Sequence, residues 1–269
     1  MSQYLLPVLA QLFSIVVGLV SYHKKAISTS GLIALLLISS LFIWSGEIGL
    51  LFTLFYMFAS SSLLTKYKKS LKGEFDIVVG KTGPRDYKQA LCNLGVATAG
   101  LLFYLYFQHE ALIAAIISSV AAANADSWAS EIGGLSKKQP VMITNFKPVN
   151  KGISGGVTLM GMAGGVAGSL FIVIAGVTTI QAISPFKGNL FLLCWTTALA
   201  GIIGFLFDSY LGALAQALYK NSTTNELTEY TSGKMELIKG IRWMNNDLVN
   251  LITTLAGALA GGGLYVFMN

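Results

Sequence analysis

The chain has 269 residues, of which 54% are hydrophobic and only 11% are charged, and its formal net charge is +6. A soluble domain carries roughly 25% charged residues, so this composition excludes an ordinary soluble protein and is typical of a polytopic membrane protein. The positive charge gives no indication of a nucleic-acid partner, because its placement along the chain follows a membrane topology.

Eight apolar segments follow one another in chain order, each close to the roughly 20 residues that a spanning helix needs. They cover residues 4–22, 26–45, 47–65, 89–108, 111–135, 154–180, 189–218 and 247–267. The fifth and seventh carry polar residues in their later halves. The sequence therefore predicts an all-α, polytopic transmembrane helix bundle of about eight spans, which forms a single integral-membrane domain over residues 1–269.

The basic residues predict which side of the membrane each loop occupies. All 18 Lys and Arg except Lys187 fall in the loops after the first, third, fifth and seventh spans. Positive charge is retained on the cytoplasmic side of a membrane. We therefore predict a multi-pass protein of the cell (inner) membrane with its N- and C-termini outside. An odd number of spans would break this alternation.

Four carboxylates lie within or beside the apolar segments, namely Asp126, Glu131, Asp208 and Asp247. Ionisable groups in hydrocarbon are costly, so they usually face a polar cavity and serve a function. The predicted topology places all four near the cytoplasmic face. On a regular helix Asp126 and Glu131 lie on different stripes. Either the helix breaks near Gly133, or the two acids line different walls. A polar clasp around one buried ion pair is the structural alternative.

Two cytoplasmic loops combine glycine with basic residues immediately before a helix. Backbone N–H groups at a helix start, with cations nearby, form an anion site. The first loop lacks the Walker A pattern, and it could equally be a basic loop near lipid headgroups. The second could equally be a plain helix cap. The residues of interest are Lys81, Thr82, Gly83 and Arg85 in the first loop, and Lys147, Ser154, Gly155 and Gly156 in the second.

The last three spans add small and amide residues to this picture. Gly161, Gly164, Gly165 and Gly168 in the sixth span predict tight helix packing. In the seventh span Asp208 is flanked by glycines, and Asn246, Asp247 and Asn250 open the eighth. Carboxylate and amide oxygens close to clustered cations fit Mg²⁺ with a polyphosphate, because Mg²⁺ takes oxygen ligands and is held by one or two carboxylates plus phosphates.

Five segments carry a family resemblance and occur in a fixed order: Gly80–Asp86, Ala125–Gly133, Ser154–Val157, Gly204–Ser209 and Trp243–Asn250. Together they resemble an integral-membrane family long filed as domain of unknown function 92, which includes the phytyl-phosphate kinases of chloroplasts and cyanobacteria. The resemblance extends from about residue 75 to the C-terminus. Two threonines that are usual in the acidic motif of this family are Ser127 and Ser130 here, which preserves both hydroxyl groups.

This resemblance implies a membrane kinase that transfers a phosphoryl group from a nucleoside triphosphate, CTP or ATP, to an isoprenyl monophosphate. Acceptors would be of the phytyl-, geranylgeranyl- or farnesyl-phosphate type, and the diphosphate would form at the cytoplasmic face. Homo-oligomerisation stays open. On this hypothesis Mg²⁺ is coordinated by Asp126, Glu131, Asp208 and Asp247. The catalytic residues are Asp126, Glu131, Asp208, Lys81 and Arg85. Phosphates bind to Lys81, Thr82, Gly83, Arg85, Lys147, Ser154, Gly155, Gly156 and Asn246.

Two other functions are compatible with the same residues. Intramembrane carboxylates and glycine-rich helices also suit a cation-coupled transporter, although such carriers commonly have inverted repeats and midplane sites. This sequence has no convincing internal repeat, and its acids lie near one face. A lipid-phosphate cytidylyltransferase would use nearly the same groups, and it would release pyrophosphate where a kinase releases a nucleoside diphosphate.

Overall fold

Eight apolar helices form a bundle in the computed structural model, which describes residues 2–67, 78, 83–222, 225–230 and 235–269. In chain order the described helices are α1 (Ser2–His23), α2 (Thr29–Trp44), α3 (Ile48–Lys66), α4 (Tyr87–Phe107), α5 (Glu110–Gly133), α6 (Leu159–Ile183), α7 (Leu190–Leu214) and α8 (Asn246–Met268). The prediction of an all-α polytopic bundle is confirmed, and most boundaries agree with prediction to within a few residues.

Seven of the described helices are long and apolar enough to cross a membrane. The remaining one, α2, has 16 residues. At ~1.5 Å per residue it extends about 24 Å, which is less than the ~30 Å hydrocarbon core of a bilayer. The eight predicted apolar helices are therefore present, and all but α2 have the length of a full span.

Short antiparallel strands, which the sequence did not predict, occupy two of the loops. Strand β1 (Val141–Met142) pairs with β2 (Gly156–Val157). In the loop before α8, β3 (Leu218–Asn221) lies between β4 (Leu227–Thr228) and β5 (Met235–Lys239). Strands of this length give too little periodicity for recognition in a sequence.

These strands shorten two of the predicted spans. The helix predicted to begin at residue 154 begins at Leu159, and the Thr158 hydroxyl caps it by accepting from the Gly161 N–H at 3.0 Å. Ser154 is therefore not the helix cap. The span predicted to reach residue 218 ends at Leu214, because the Ala215 carbonyl accepts from the Ile241 N–H at 2.9 Å and the chain turns into β3.

Helix α5 lies at the centre of the bundle, and most of its residues between Ala111 and Ala125 are buried. The helices around it approach through glycines. A Cβ added at Gly168 of α6 would lie 2.9 Å from the Cβ of Trp128, and one at Gly257 of α8 would lie 2.7 Å from the Cβ of Ala122. Small residues allow such close backbone approach in membranes. The predicted tight packing of the sixth span is confirmed.

Candidate functional site

A polar cleft opens at one end of the bundle, where the C-terminal ends of α5 and α7 meet the N-terminal ends of α6 and α8. It contains about 1430 Å³ of empty space, part of which is open solvent. The residues that were predicted from the sequence and that line this cleft are Arg85, Asp126, Glu131, Ser154, Gly155, Gly156, Asp208 and Asn246. Most of the predicted site therefore does lie around one cavity.

Two half-buried carboxylates meet in the cleft. Asp126 of α5 and Asp208 of α7 are within hydrogen-bonding reach of each other. Thr253 of α8 donates from its hydroxyl to Asp208 Oδ2 at 2.7 Å. The fifth, seventh and eighth predicted spans therefore converge at this point, and α8 contributes a hydroxyl to the pair.

The aspartate pair has the chemistry of a small divalent-cation site. Two ionised carboxylates this close repel each other, and a cation between them offsets that repulsion. Mg²⁺ is usually bound through one or two carboxylates, with water and phosphate oxygens completing its shell. Throughout the part of the chain that the structure describes, no group of three or more His, Cys, Asp or Glu side chains could hold a metal. The pair fits a metal that draws its other ligands from water and substrate.

Glu131 belongs to a different wall of the cleft. Helix α5 continues without a break to Gly133, so Asp126 and Glu131 point to different neighbours. Glu131 Oε1 accepts from the hydroxyl of Thr65 in α3 at 2.6 Å, and it attracts the guanidinium of Arg85. The sequence left two possibilities, a break in the helix near Gly133 or two acids that line different walls of the cleft, and the second is observed. The prediction that Glu131 shares a metal with Asp126 is therefore not supported by the geometry.

Arg85 is held firmly at one side of the cleft. Its backbone pairs with the loop between α1 and α2, through an N–H donated to the Ala26 carbonyl at 3.0 Å and a carbonyl that accepts from Ser28 N–H at 2.9 Å. Its Nη1 donates to Ser61 Oγ at 3.1 Å, and its guanidinium lies 6.0 Å from the centre of the Phe58 ring. Burial lowers the pKa of this guanidinium from its ordinary value, and the charge of Glu131 opposes that shift.

A short loop before α6, residues 152–156, forms another side of the cleft. Its residue Ser154 donates to Glu229 Oε1 from both its hydroxyl and its N–H, the latter at 3.2 Å. Lys239 Nζ donates to the Ser154 carbonyl at 3.1 Å. The Gly156 N–H donates to the Ile153 carbonyl at 3.0 Å. The N–H groups of Ser154 and Gly156, which the sequence assigned to phosphate, are therefore used within the protein.

Glu229 is a site residue that the sequence did not predict. It lies between β4 and β5, is only 6% exposed, and accepts at Oε2 from Gln216 Nε2 at 2.7 Å. Burial raises its pKa to about 7, although the hydrogen bonds from Ser154 and the charge of Lys239 act in the opposite direction. Its segment is polar, which is typical of a solvated loop. The sequence contained one indication of a buried polar partner here. Gln216 continues the helical stripe of Asp208, and a polar side chain in that position predicts a polar neighbour.

Lysine positions also differ from the prediction. Lys147 is exposed and lies away from the cleft, whereas Lys151 of the same loop lines it. Lys81 and Thr82 lie outside the described residues. Gly83 is exposed and is not part of the cleft lining. The cations that the structure places at the cleft are thus Arg85 and Lys151.

At the start of α8 the amides, and not the acid, face the cleft. Asn246 and Asn250 line it, and Asp247 does not. Asn245 caps the helix by accepting from the Leu248 N–H at 3.0 Å. Asp247 instead lies near Tyr230. Burial raises the pKa of the Tyr230 phenol, and the charge of Asp247 raises it further. The four predicted acids therefore do not form one cluster, and the candidate metal ligands reduce to Asp126 and Asp208.

Comparison with known proteins agrees with the family resemblance. Protein PGR of Arabidopsis thaliana is 33% identical over 267 residues, covering 92% of each chain. An uncharacterised membrane protein of Methanocaldococcus jannaschii is 33% identical over 181 residues, which are 67% of this chain and 63% of its own. Protein VTE6, chloroplastic, of Arabidopsis thaliana is 28% identical over 249 residues, covering 87% of this chain and 63% of its own. No solved structure matches the chain.

The family model described as integral membrane protein DUF92 matches residues 12–258. That range includes the aspartate pair, the 152–156 loop, Arg85 and the amides of α8. It also extends over the helices before residue 75, where the motifs alone gave no signal. The chain belongs to the DUF92 family of integral membrane proteins.

Proposed function

We propose that this protein is a Mg²⁺-dependent membrane kinase that transfers a phosphoryl group from a nucleoside triphosphate to an isoprenyl monophosphate. The observation that carries the proposal is the Asp126–Asp208 pair, which faces a polar cleft lined by Arg85 and Lys151. Acids that bind a metal and cations that neutralise phosphoryl oxygens are the groups that this chemistry requires. The phytyl-phosphate kinases implied by the family resemblance supply the substrate class.

The chemical step needs little more than these groups. The acceptor is already an ionised phosphate, so a strong general base is not required, and positioning and charge neutralisation dominate. Asp126 and Asp208 would hold Mg²⁺, whose charge would neutralise the donor phosphates. Arg85 would hold the acceptor phosphate. Lys151 would hold the donor phosphates, and the amides of Asn246 and Asn250 would orient them.

The orientation of the site in the membrane is part of the proposal. The cleft lies at the end of the bundle that carries Arg85, Lys151 and Lys239. The positive-inside rule assigns that end to the cytoplasm, where nucleoside triphosphates are available. We therefore assign the active site to the cytoplasmic face of the cell membrane.

A direct assay tests the proposal. Purified protein in lipid nanodiscs, with Mg²⁺ and CTP or ATP, should convert a panel of prenyl monophosphates to diphosphates. Asp126→Asn should lower the rate by on the order of 10²-fold or more, because it removes half of the acidic pair. Without Mg²⁺ its melting temperature should not fall, because the substitution removes a like-charge repulsion. Glu236→Gln, an exposed acid on β5, is the matched control. Diphosphate formation that Asp126→Asn leaves intact would contradict the proposal.

A further inference from the structure

An apolar groove lies next to the polar cleft, within the first four helices. It lies between α3, which contributes Leu54 and Phe55, and α4, which contributes Leu94. Phe13 of α1 and Leu35 of α2 also line it. Around α5, by contrast, helices approach closely at glycines such as Gly168 and Gly257.

The groove and the cleft adjoin each other and share four lining residues. Met57, Arg85, Gln89 and Asn93 line both of them. Beyond these residues the cleft is polar and the groove is apolar. A polar cleft and an apolar groove that meet at a cationic residue match a molecule that has a phosphate head and a hydrocarbon tail.

Two features mark the junction as a ligand-binding position. The Arg85 guanidinium is fixed there by Ser61 and by the ring of Phe58. The Oε1 atom of Gln89 is buried and has no hydrogen-bond partner among the described residues. Buried polar atoms are normally satisfied, so an atom of this kind where two cavities meet indicates a partner that comes with a ligand.

The groove also has a defined depth. Along α2 its lining extends from Gly31 to Ser39, a separation of eight positions that corresponds to ~12 Å at 1.5 Å per residue. Three aromatic rings cluster along the part of the groove that is distant from Arg85, where the Phe13 ring lies 6.0 Å from that of Phe52 and 5.1 Å from that of Phe55. This depth suits a tail of a few isoprene units, and a longer tail would have to leave between α1 and its neighbours.

We infer that this groove binds the hydrocarbon tail of the lipid monophosphate whose head is held at Arg85. The inference rests on the proposed function, which it deepens by assigning a tail site to helices that carry no catalytic group. The tail would reach the groove from the bilayer, beside the exposed apolar face of α1. Methylene groups buried there would supply most of the affinity, while the phosphate bound at Arg85 would fix the position of the lipid along the groove.

Photolabelling tests the groove without relying on catalysis. The probe is farnesyl monophosphate with a diazirine at the end of its tail, added to protein in nanodiscs. Labelling should fall on the segments around Phe13 and around Phe52 and Phe55, and unlabelled farnesyl monophosphate should compete for it. Labelling elsewhere in the chain would overturn the inference. So would labelling that phosphatidylcholine competes for equally well, because the groove would then be a slot for bulk lipid only.

A pair of matched variants sharpens the test. Leu35→Trp fills the groove, whereas Leu37→Trp adds the same ring to the same helix at a side chain that is 68% exposed. Leu35→Trp should weaken farnesyl monophosphate binding about tenfold or more, the equivalent of losing two methylenes, and Leu37→Trp should not. Equal binding to both variants would refute the groove.

Competed labelling in a protein without kinase activity would refute only the kinase proposal, whereas kinase activity with labelling elsewhere would refute only the groove.

Discussion

The central helix α5 and the peripheral helices α1 and α4 differ in how much of their surface is buried within the protein. About 72% of the apolar 18-residue stretch of α5 is buried inside the protein, against 17% of the corresponding stretch of α1 and 11% of that of α4. Around α5, glycines such as Gly168 and Gly257 bring backbones into contact. In the periphery, large apolar side chains face outward, and α3 and α4 leave a groove between them.

This difference separates two requirements of the proposed reaction. Asp126, Asp208 and Thr253 come from three helices, and a catalytic group must be held within about 0.5 Å of its working position. Close glycine packing provides that rigidity. A hydrocarbon tail needs only apolar surface and room to enter, which the peripheral helices provide. On our proposals, the rigid half of the bundle would hold the reacting groups and the looser half would hold the lipid.

The largest stability effect should come from Glu229, which secures the 152–156 loop to the rigid half. Its pKa is raised from 4.5 to about 7 by burial. Between these values the folded protein keeps a proton that the unfolded chain has lost. The free energy of unfolding should therefore fall as pH rises from 4.5 to about 7, by on the order of 2–3 kcal/mol. Above pH 7 this contribution should be constant.

Glu229→Gln is the variant that checks this pH dependence. The new side chain keeps one oxygen for Ser154, and Gln216 can rotate its amide to pair with the new NH₂ group. Melting temperatures measured from pH 4.5 to 8 should lose the slope that wild type shows below pH 7. A slope of the same size in the variant would mean that another group titrates in this range.

Glycine substitutions test the contrast between the two halves directly. Gly257→Ala places a methyl group 2.7 Å from Ala122 Cβ and 3.0 Å from the Ser118 carbonyl oxygen. We expect it to destabilise the protein by about 1–3 kcal/mol. Gly95→Ala in α4 meets nothing within 4 Å, and it should stabilise the helix by up to about 1 kcal/mol. Thermal unfolding in one detergent compares them, and equal shifts would remove the distinction between the halves.

A smaller effect should separate two lysines of one loop. Lys151 lines the cleft and Lys147 is exposed outside it. Lys151→Gln should raise KM for the nucleoside triphosphate about tenfold, as expected for one lost charge–phosphate contact. Lys147→Gln should change KM less than about twofold, since an exposed charge is screened. Steady-state kinetics would reverse our assignment if Lys147 proved the more sensitive position.

Much of this architecture could be predicted from the sequence, because apolar length and positive-charge placement are local signals. Most helix boundaries and the tight packing of α6 followed from such signals, and so did the position of Arg85 beside a cavity. The separation of Asp126 from Glu131 also followed, since 100° per residue fixes their directions on a regular helix. What these signals could not supply was the partner of each acid.

Those partners depend on contacts between distant segments. Asp126 and Asp208 are 82 positions apart in the sequence, and only helix packing brings them together. Glu229 looked solvated because its neighbours in the chain are polar, yet it is buried against Gln216 and Ser154. Ser154 looked like a helix cap, but β1–β2 pairing delays the helix to Leu159. Tertiary contacts decided these three positions.

The most direct test of the central claim is to identify the products of one turnover. Protein in nanodiscs would receive Mg²⁺, farnesyl monophosphate and CTP or ATP labelled separately on the γ-phosphate and the base. We predict that the γ-label appears in farnesyl diphosphate, that the base label leaves as the nucleoside diphosphate, and that Asp208→Asn abolishes both. Release of pyrophosphate with the base label on the lipid, or the absence of any transfer by wild type, would contradict the assignment as a kinase.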